Sequence, residues 1–126
     1  MRPPRILVAE DEAPLLEILI EGLRDEGFEV VGAEDGAQAL ELYRTSGPFD
    51  LLLLDEEMPR LTGRRVLSVL RADGDHVPAV LLSGNLDLSA EEQARLGVGP
   101  PLRKPISLGE LARAIRRGLP RTPGAM

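Results

Sequence analysis

The chain has 126 residues, a formal net charge of −6 and no cysteine, with 43% hydrophobic and only 2% aromatic residues. This length fits one domain with an aliphatic core. The lack of cysteine excludes disulfides and thiolate metal sites, and the acidic balance argues against direct binding of nucleic acid. The sequence contains no signal-peptide segment and no run of about 18 apolar residues, so we expect a cytoplasmic protein.

The apolar runs of the chain predict the strands of a buried parallel sheet. Four runs lack polar alternation, as in parallel strands that are covered on both faces. They span residues 5–9, 29–33, 51–54 and 79–82. A weaker fifth strand at residues 101–103 contains a proline, so we expect it at the edge of the sheet.

Amphipathic segments between the strands predict helices. Leu16, Leu19, Ile20 and Leu23 form an apolar stripe at helical spacing, and Gly27 follows as a helix stop. Further helices are indicated by apolar spacing after Ala37 and by capping residues at Thr62, Ser89 and Ser107. The strict alternation of strand and helix predicts an α/β fold, a doubly wound five-stranded parallel sheet with helices on both faces.

Polar residues stand directly after the predicted strands, where ligands bind in open α/β sheets. Glu10 and Asp11 follow the first strand, Asp55 the third, Ser83 the fourth and Lys104 the fifth. Lys104 is the only lysine among 15 Lys and Arg residues, which indicates a position that needs a compact ammonium group and not a guanidinium. We expect these five side chains to meet at one edge of the sheet.

The expected cluster has a charge imbalance that suggests its chemistry. Three carboxylates in one place repel one another unless cations compensate them. A divalent cation and the Lys104 ammonium group would supply three positive charges, and an all-oxygen ligand set favours Mg²⁺. Such a site suits a phosphoryl group, whose oxygens the metal, Lys104 and the Ser83 hydroxyl would contact. Because an Asp carboxylate can accept phosphate covalently, the sequence predicts phosphoryl transfer to Asp55.

The same residues allow other interpretations. Asp55 could cap a helix or end the Walker B strand of an ATPase, but the chain lacks the G-x-x-x-x-G-K-[ST] loop that such an ATPase needs. Glu10 and Asp11 could begin the first helix, where acidic side chains interact well with the helix dipole. Lys104 could be a solvated surface lysine.

Over residues 5–119 the chain resembles the receiver domains of two-component response regulators. The resemblance is carried by Glu10-Asp11, by Asp55 with Met58-Pro59 and Gly63 behind it, by Ser83-Gly84 and by Lys104-Pro105. It implies a flavodoxin-like (βα)5 sheet of strand order 2-1-3-4-5 and phosphorylation of Asp55, with Ser83 and Lys104 contacting the phosphoryl group. The Mg²⁺ ligands that it implies are Glu10, Asp11, Asp55 and the backbone carbonyl of Glu57.

The resemblance also implies a signalling role. The phosphoryl group would come from a histidine kinase or a phosphotransfer protein, in a self-catalysed transfer followed by autodephosphorylation, without turnover of an external substrate. We expect a monomer or weak homodimer that contacts neither nucleic acid nor membrane. Residues 1–119 would form the receiver domain, and residues 120–126 a frayed tail.

Three features depart from the family pattern. Pro101 stands where an aromatic residue is usual, three positions before the lysine. Glu57 places a carboxylate beside the acceptor, where it would affect loss of the phosphoryl group. Ser83 and Gly84 replace the more usual Thr and Ala. Pro101 leaves open a degenerate receiver that acts as a phosphate-independent protein-interaction module; a Mg²⁺-dependent hydrolase on a similar sheet is a third interpretation, for which no general acid or base stands out.

Overall fold

The computed structural model describes residues 2–120, along which five strands and five helices alternate. These are β1 (Arg5–Ala9), α1 (Ala13–Asp25), β2 (Glu29–Ala33), α2 (Gly36–Ser46), β3 (Leu51–Asp55), α3 (Gly63–Ala72), β4 (Ala79–Ser83), α4 (Ala90–Leu96), β5 (Leu102–Arg103) and α5 (Leu108–Gly118). Within this part of the chain no helix is long and apolar enough to span a membrane. The tail was predicted at 120–126, of which residues 121–126 lie outside the described residues.

The strands form one parallel sheet in the order β2-β1-β3-β4-β5. The predicted fold class and strand order are therefore confirmed, and β5 lies at an edge, as Pro101 in the predicted strand suggested. Because all five strands run in the same direction, their carboxyl ends share one end of the sheet.

The side chains of β3 alternate between two hydrophobic cores. Leu52 and Leu54 pack in the core that contains residues of α2, α3 and α4, whereas Leu51 and Leu53 pack in the core formed with α1 and α5. All four leucines are at most 1% exposed. Coverage on both faces explains why this strand is an uninterrupted apolar run in the sequence.

The helix ends follow the predicted capping residues. Thr62 accepts a hydrogen bond from the Arg65 N–H, and Ser89 forms a complete capping box at the start of α4. Ser107 accepts a backbone N–H from the first turn of α5. Gly27 follows α1 with φ of 99°, a left-handed conformation that glycine adopts without strain. Each of the side-chain caps at Thr62, Ser89 and Ser107 stabilises its helix by about 1 kcal/mol.

Three strand boundaries differ from the prediction. β3 ends at Asp55 and β4 at Ser83, one residue later than expected, because Asp55 pairs with Leu82 and Ser83 pairs with Arg103. β5 is shorter than the predicted 101–103, since only Leu102–Arg103 pair with β4. Two candidate site residues thus belong to the sheet itself and not to the loops after it.

Candidate functional site

Backbone hydrogen bonds continue the sheet ladder just past the strand ends. The Glu56 N–H donates to the Leu82 carbonyl at 2.8 Å, and the Lys104 N–H donates to the Ser83 carbonyl at 3.0 Å. The residues after β3 and β5 are therefore fixed against β4. The side chains of Asp55 and Lys104 project from this held backbone.

Glu10, Asp11 and Asp55 come together as an acidic cluster, with one carboxylate oxygen from each lying within 4.8 Å of the others. Helix α1 begins at Ala13 with Glu12 as its N-cap, so Glu10 and Asp11 precede the helix and the alternative that they begin it is wrong. Glu10 and Asp55 are 1% and 2% exposed, whereas Asp11 is exposed to solvent. Two buried carboxylates beside a third require positive charge nearby.

One buried oxygen of Glu10 has no hydrogen-bond partner among the described residues. Its Oε2 accepts the Glu12 N–H at 3.0 Å, but Oε1 has no donor within hydrogen-bonding reach. Burial raises the pKa of Glu10 to about 7, with an added effect from the charge of Asp55 and a partial offset from the Glu12 N–H and Lys104. Buried polar atoms are rarely left unpaired, and this oxygen is free to coordinate a cation. The oxygen donor set of the cluster suits Mg²⁺.

Lys104 reaches the acidic cluster from the end of β5. Its Nζ lies 2.8 Å from Oδ1 of Asp55 and 3.8 Å from Oε1 of Glu10. Burial acts to lower the pKa of Lys104, but the hydrogen bond and negative charge of Asp55 outweigh it and raise the pKa. The side chain is therefore a cation at neutral pH. Lys104 and Pro105 are joined by a cis peptide bond.

Ser83 lies fully buried at the same end of the sheet, and its hydroxyl is bound to Glu57. Ser83 Oγ donates to Oε2 of Glu57 at 2.5 Å and accepts the N–H groups of Leu86 and Asn85 at 2.9 and 3.2 Å. The Gly84 N–H donates to Oε1 of Glu57 at 2.8 Å. Burial acts to raise the pKa of Glu57, but these two hydrogen bonds outweigh it and lower the pKa.

Sequence reasoning expected the Glu57 side chain to affect loss of the phosphoryl group but did not assign the partner that it binds. The residue was expected to contribute a backbone carbonyl to the metal, and that role stays a prediction. The pairing of the Glu57 side chain with Ser83 and Gly84 depends on how the loop after β3 packs against the end of β4. The sequence showed only that an acidic residue stands at position 57; it did not indicate that Ser83 and Gly84 would bind its carboxylate.

The loop between β3 and α3 is held by a second acidic residue that was also missed. Glu56 is buried, and its carboxylate accepts the backbone N–H and the Nε–H of Arg64, both at 2.8 Å. A Cβ atom at Gly63 would lie 2.9 Å from the Asp55 carbonyl oxygen, so glycine permits α3 to begin against the end of β3. These contacts fix the backbone on the carboxyl side of Asp55.

Arg103 connects β5 to the loop that follows β4. Its guanidinium donates to the Gly84 carbonyl at 3.1 Å and to Oδ1 of Asp87 at 2.7 Å. Both side chains of this ion pair are exposed, so the pair itself contributes little to stability. The pair nevertheless joins β5, which follows Pro101, to the loop after β4 that contains Gly84 and Asp87.

Comparisons with known proteins all identify the same family. The model of the response regulator receiver domain matches residues 6–116. The chain is 39% identical over 122 residues to the response regulator MprA of Mycobacterium sp. (strain KMS), a match that covers 95% of this chain and 52% of that protein. It is 40% identical over 120 residues to MprA of Mycobacterium leprae (strain TN), covering 94% and 52%. The chain spans about half the length of these curated relatives.

Solved structures agree with the family match. The receiver domain of the Francisella response regulator 1452 superposes with a TM-score of 0.80 at 32% identity, covering 90% of this chain and 94% of that chain. The response regulator receiver protein from Pseudomonas putida gives a TM-score of 0.82 at 28% identity, covering 93% and 98%. The similarity in both cases extends over almost all of the solved chain.

Proposed function

Because this chain belongs to the response regulator receiver domain family of two-component systems, we propose that Asp55 accepts a phosphoryl group from a phosphohistidine partner. The observation that carries the proposal is the 2.8 Å contact between the Lys104 ammonium group and Oδ1 of buried Asp55, beside two further acids. An aspartate at the end of a rigid strand, oriented by a lysine, is a carboxylate nucleophile held in place for attack.

The transfer exchanges one bond to phosphorus for another. A carboxylate oxygen of Asp55 forms a bond to phosphorus while the P–N bond to the partner's imidazole breaks. The electron pair of that bond stays on the imidazole nitrogen, which takes up a proton as the histidine leaves. Lys104 lies where it can stabilise the charge on the phosphoryl oxygens. Water later removes the group and restores Asp55, so no external substrate is turned over.

The acidic cluster fits the cation that receiver domains generally bind. We propose that Mg²⁺ is held here by Glu10, Asp11, Asp55 and the backbone carbonyl of Glu57. The unpartnered Oε1 of Glu10 and the approach of the three carboxylates to within 4.8 Å of one another support the three carboxylate ligands. When bound, Mg²⁺ supplies positive charge that neither Lys104 nor the backbone can provide alone.

Receiver domains of response regulators generally interact with histidine kinases or phosphotransfer proteins. We propose such a protein as the donor for this chain, acting in the cytoplasm on a monomer or weak homodimer. The net charge of −6 supports the proposal that these residues do not contact nucleic acid directly. Since the chain spans about half of its curated relatives, we infer that the phosphorylated domain passes its signal to a further protein or segment.

The proposal is tested by incubating the protein with acetyl phosphate and Mg²⁺ and measuring its intact mass. We expect a gain of one phosphoryl group that is removed by hydroxylamine, as acyl phosphates are, and that is suppressed by EDTA. A mass gain that resists hydroxylamine would indicate a hydroxyl acceptor and contradict the proposal. No gain at all would favour the phosphate-independent interaction module.

A further inference from the structure

The Glu57 carboxylate is fixed on both of its oxygens although the residue is exposed. Oε2 accepts the buried Ser83 hydroxyl at 2.5 Å, and Oε1 accepts the Gly84 N–H at 2.8 Å. Ordering a long acidic side chain at the surface costs conformational entropy. Two charge-assisted hydrogen bonds offset that cost, so this carboxylate has a defined place in the resting structure.

The hydrogen bond from Ser83 to Glu57 uses the single O–H donor of the Ser83 side chain. A serine hydroxyl has one donor and two acceptor positions. Here the donor faces Glu57, and the acceptor positions are taken by the N–H groups of Leu86 and Asn85. The Gly84 N–H is likewise a single donor and is also directed at Glu57. Neither donor can bind another anion until the Glu57 carboxylate leaves.

We propose that the Glu57 carboxylate occupies the Ser83 hydroxyl, an expected phosphoryl donor, and the adjacent Gly84 N–H, that it thereby holds the segment after β4 in its resting conformation, and that it is displaced when Asp55 is phosphorylated. This inference rests on the proposed function, because it requires an anion at Asp55 as the competitor. It adds an autoinhibitory contact that opposes the transition to the phosphorylated conformation.

Charge provides the force for the displacement. A phosphoryl group adds about −1.5 to −2 charge and three strong acceptor oxygens at neutral pH. Placed on Asp55, it repels the Glu57 carboxylate two positions along the chain and competes with it for the Ser83 hydroxyl. Once freed, Ser83 and Gly84 can turn toward Asp55.

The released segment has a second connection, to β5. Arg103 holds the Gly84 carbonyl at 3.1 Å and Asp87 at 2.7 Å. A movement of Gly84 therefore changes the surroundings of Arg103, two residues after Pro101. The contacts of Glu57, Gly84 and Arg103 therefore connect the loop after β3 to β5, without an aromatic side chain at position 101.

The resting contact is tested without any anion bound, by measuring amide hydrogen exchange residue by residue with NMR. In Glu57→Gln and Glu57→Ala, the Gly84 N–H should exchange faster than in the unmodified chain, by about tenfold in the alanine variant, because its charged acceptor is gone. Glu91→Gln removes the same charge from an exposed position of α4 and should leave the Gly84 N–H unchanged. Equal exchange in all four proteins would overturn the proposal.

The competition is tested by titrating the same four proteins with beryllofluoride, a phosphoryl mimic, in the presence of Mg²⁺. Glu57→Gln and Glu57→Ala should bind it about tenfold more tightly, since the competing charged hydrogen bonds are removed, and Glu91→Gln should match the unmodified chain. Unchanged or weaker binding by both Glu57 variants would overturn the proposal. Failure of all four proteins to bind would instead contradict the phosphoryl-acceptor function, so the two failures are distinct.

Discussion

Asp55→Asn should abolish the hydroxylamine-labile gain of one phosphoryl group on treatment with acetyl phosphate and Mg²⁺. Asn keeps the shape of the side chain, but its amide lacks the carboxylate oxygen that forms the bond to phosphorus. It also lacks the charge that holds the Lys104 ammonium group at 2.8 Å. The expected labelling is below detection by intact mass, the largest effect that any single substitution in this chain should produce.

The matched control for that loss is Asp25→Asn, which removes the same charge at an exposed position at the end of α1. It should be labelled as fully as the unmodified chain. Circular dichroism of Asp55→Asn should retain the native helical signal, which separates loss of the acceptor from loss of the fold. Full labelling of a folded Asp55→Asn protein would exclude Asp55 as the acceptor.

The second large effect should appear in the response to Mg²⁺. A ligand that binds only the folded state stabilises it by about 2.7 kcal/mol when present at 100 times its Kd, so Mg²⁺ should raise the melting temperature of the unmodified chain. Asp11→Asn should lose most of that increase, because the exposed Asp11 carboxylate completes the cluster. Glu10→Gln should lose less, since one Glu10 oxygen is already bound to the Glu12 N–H at 3.0 Å.

Melting curves of these variants with Mg²⁺ and with EDTA give the comparison, and Asp25→Asn again serves as the charge control. In EDTA, differences between the variants reflect repulsion among the acids; only the increase on adding Mg²⁺ reports binding. If the increase in Asp11→Asn equals that of the unmodified chain, the acidic cluster is not the metal site.

The end of the sheet was predictable because apolar runs and the residues after them are local features of the sequence. The strand before Asp55 is buried on both faces, so it is an apolar run without alternating polar residues, and the first polar residue after the run is Asp55. Lys104 could be singled out by composition alone. The boundary errors at Asp55 and Ser83 arose because pairing with neighbouring strands extended the ladder by one residue.

The contacts of the loops were not predictable in the same way. Whether the Glu57 side chain turns to solvent or to Ser83 depends on how the loop after β3 packs against the end of β4, because Ser83 lies 26 residues after Glu57 in sequence. The pairing of Arg103 with Gly84 and Asp87 has the same origin. Such contacts are set by tertiary packing, which leaves no periodic signal in the sequence.

The most direct measurement of the central claim is reductive trapping of the phosphorylated residue. Borohydride reduces an aspartyl phosphate to homoserine, and fragmentation of the tryptic peptide 45–60, which contains Asp50, Asp55, Glu56 and Glu57, then locates the change. We expect homoserine at position 55 and unmodified side chains at the other three acids. Trapping at one of those acids, or in another peptide, would contradict the assignment of Asp55 as the phosphoryl acceptor.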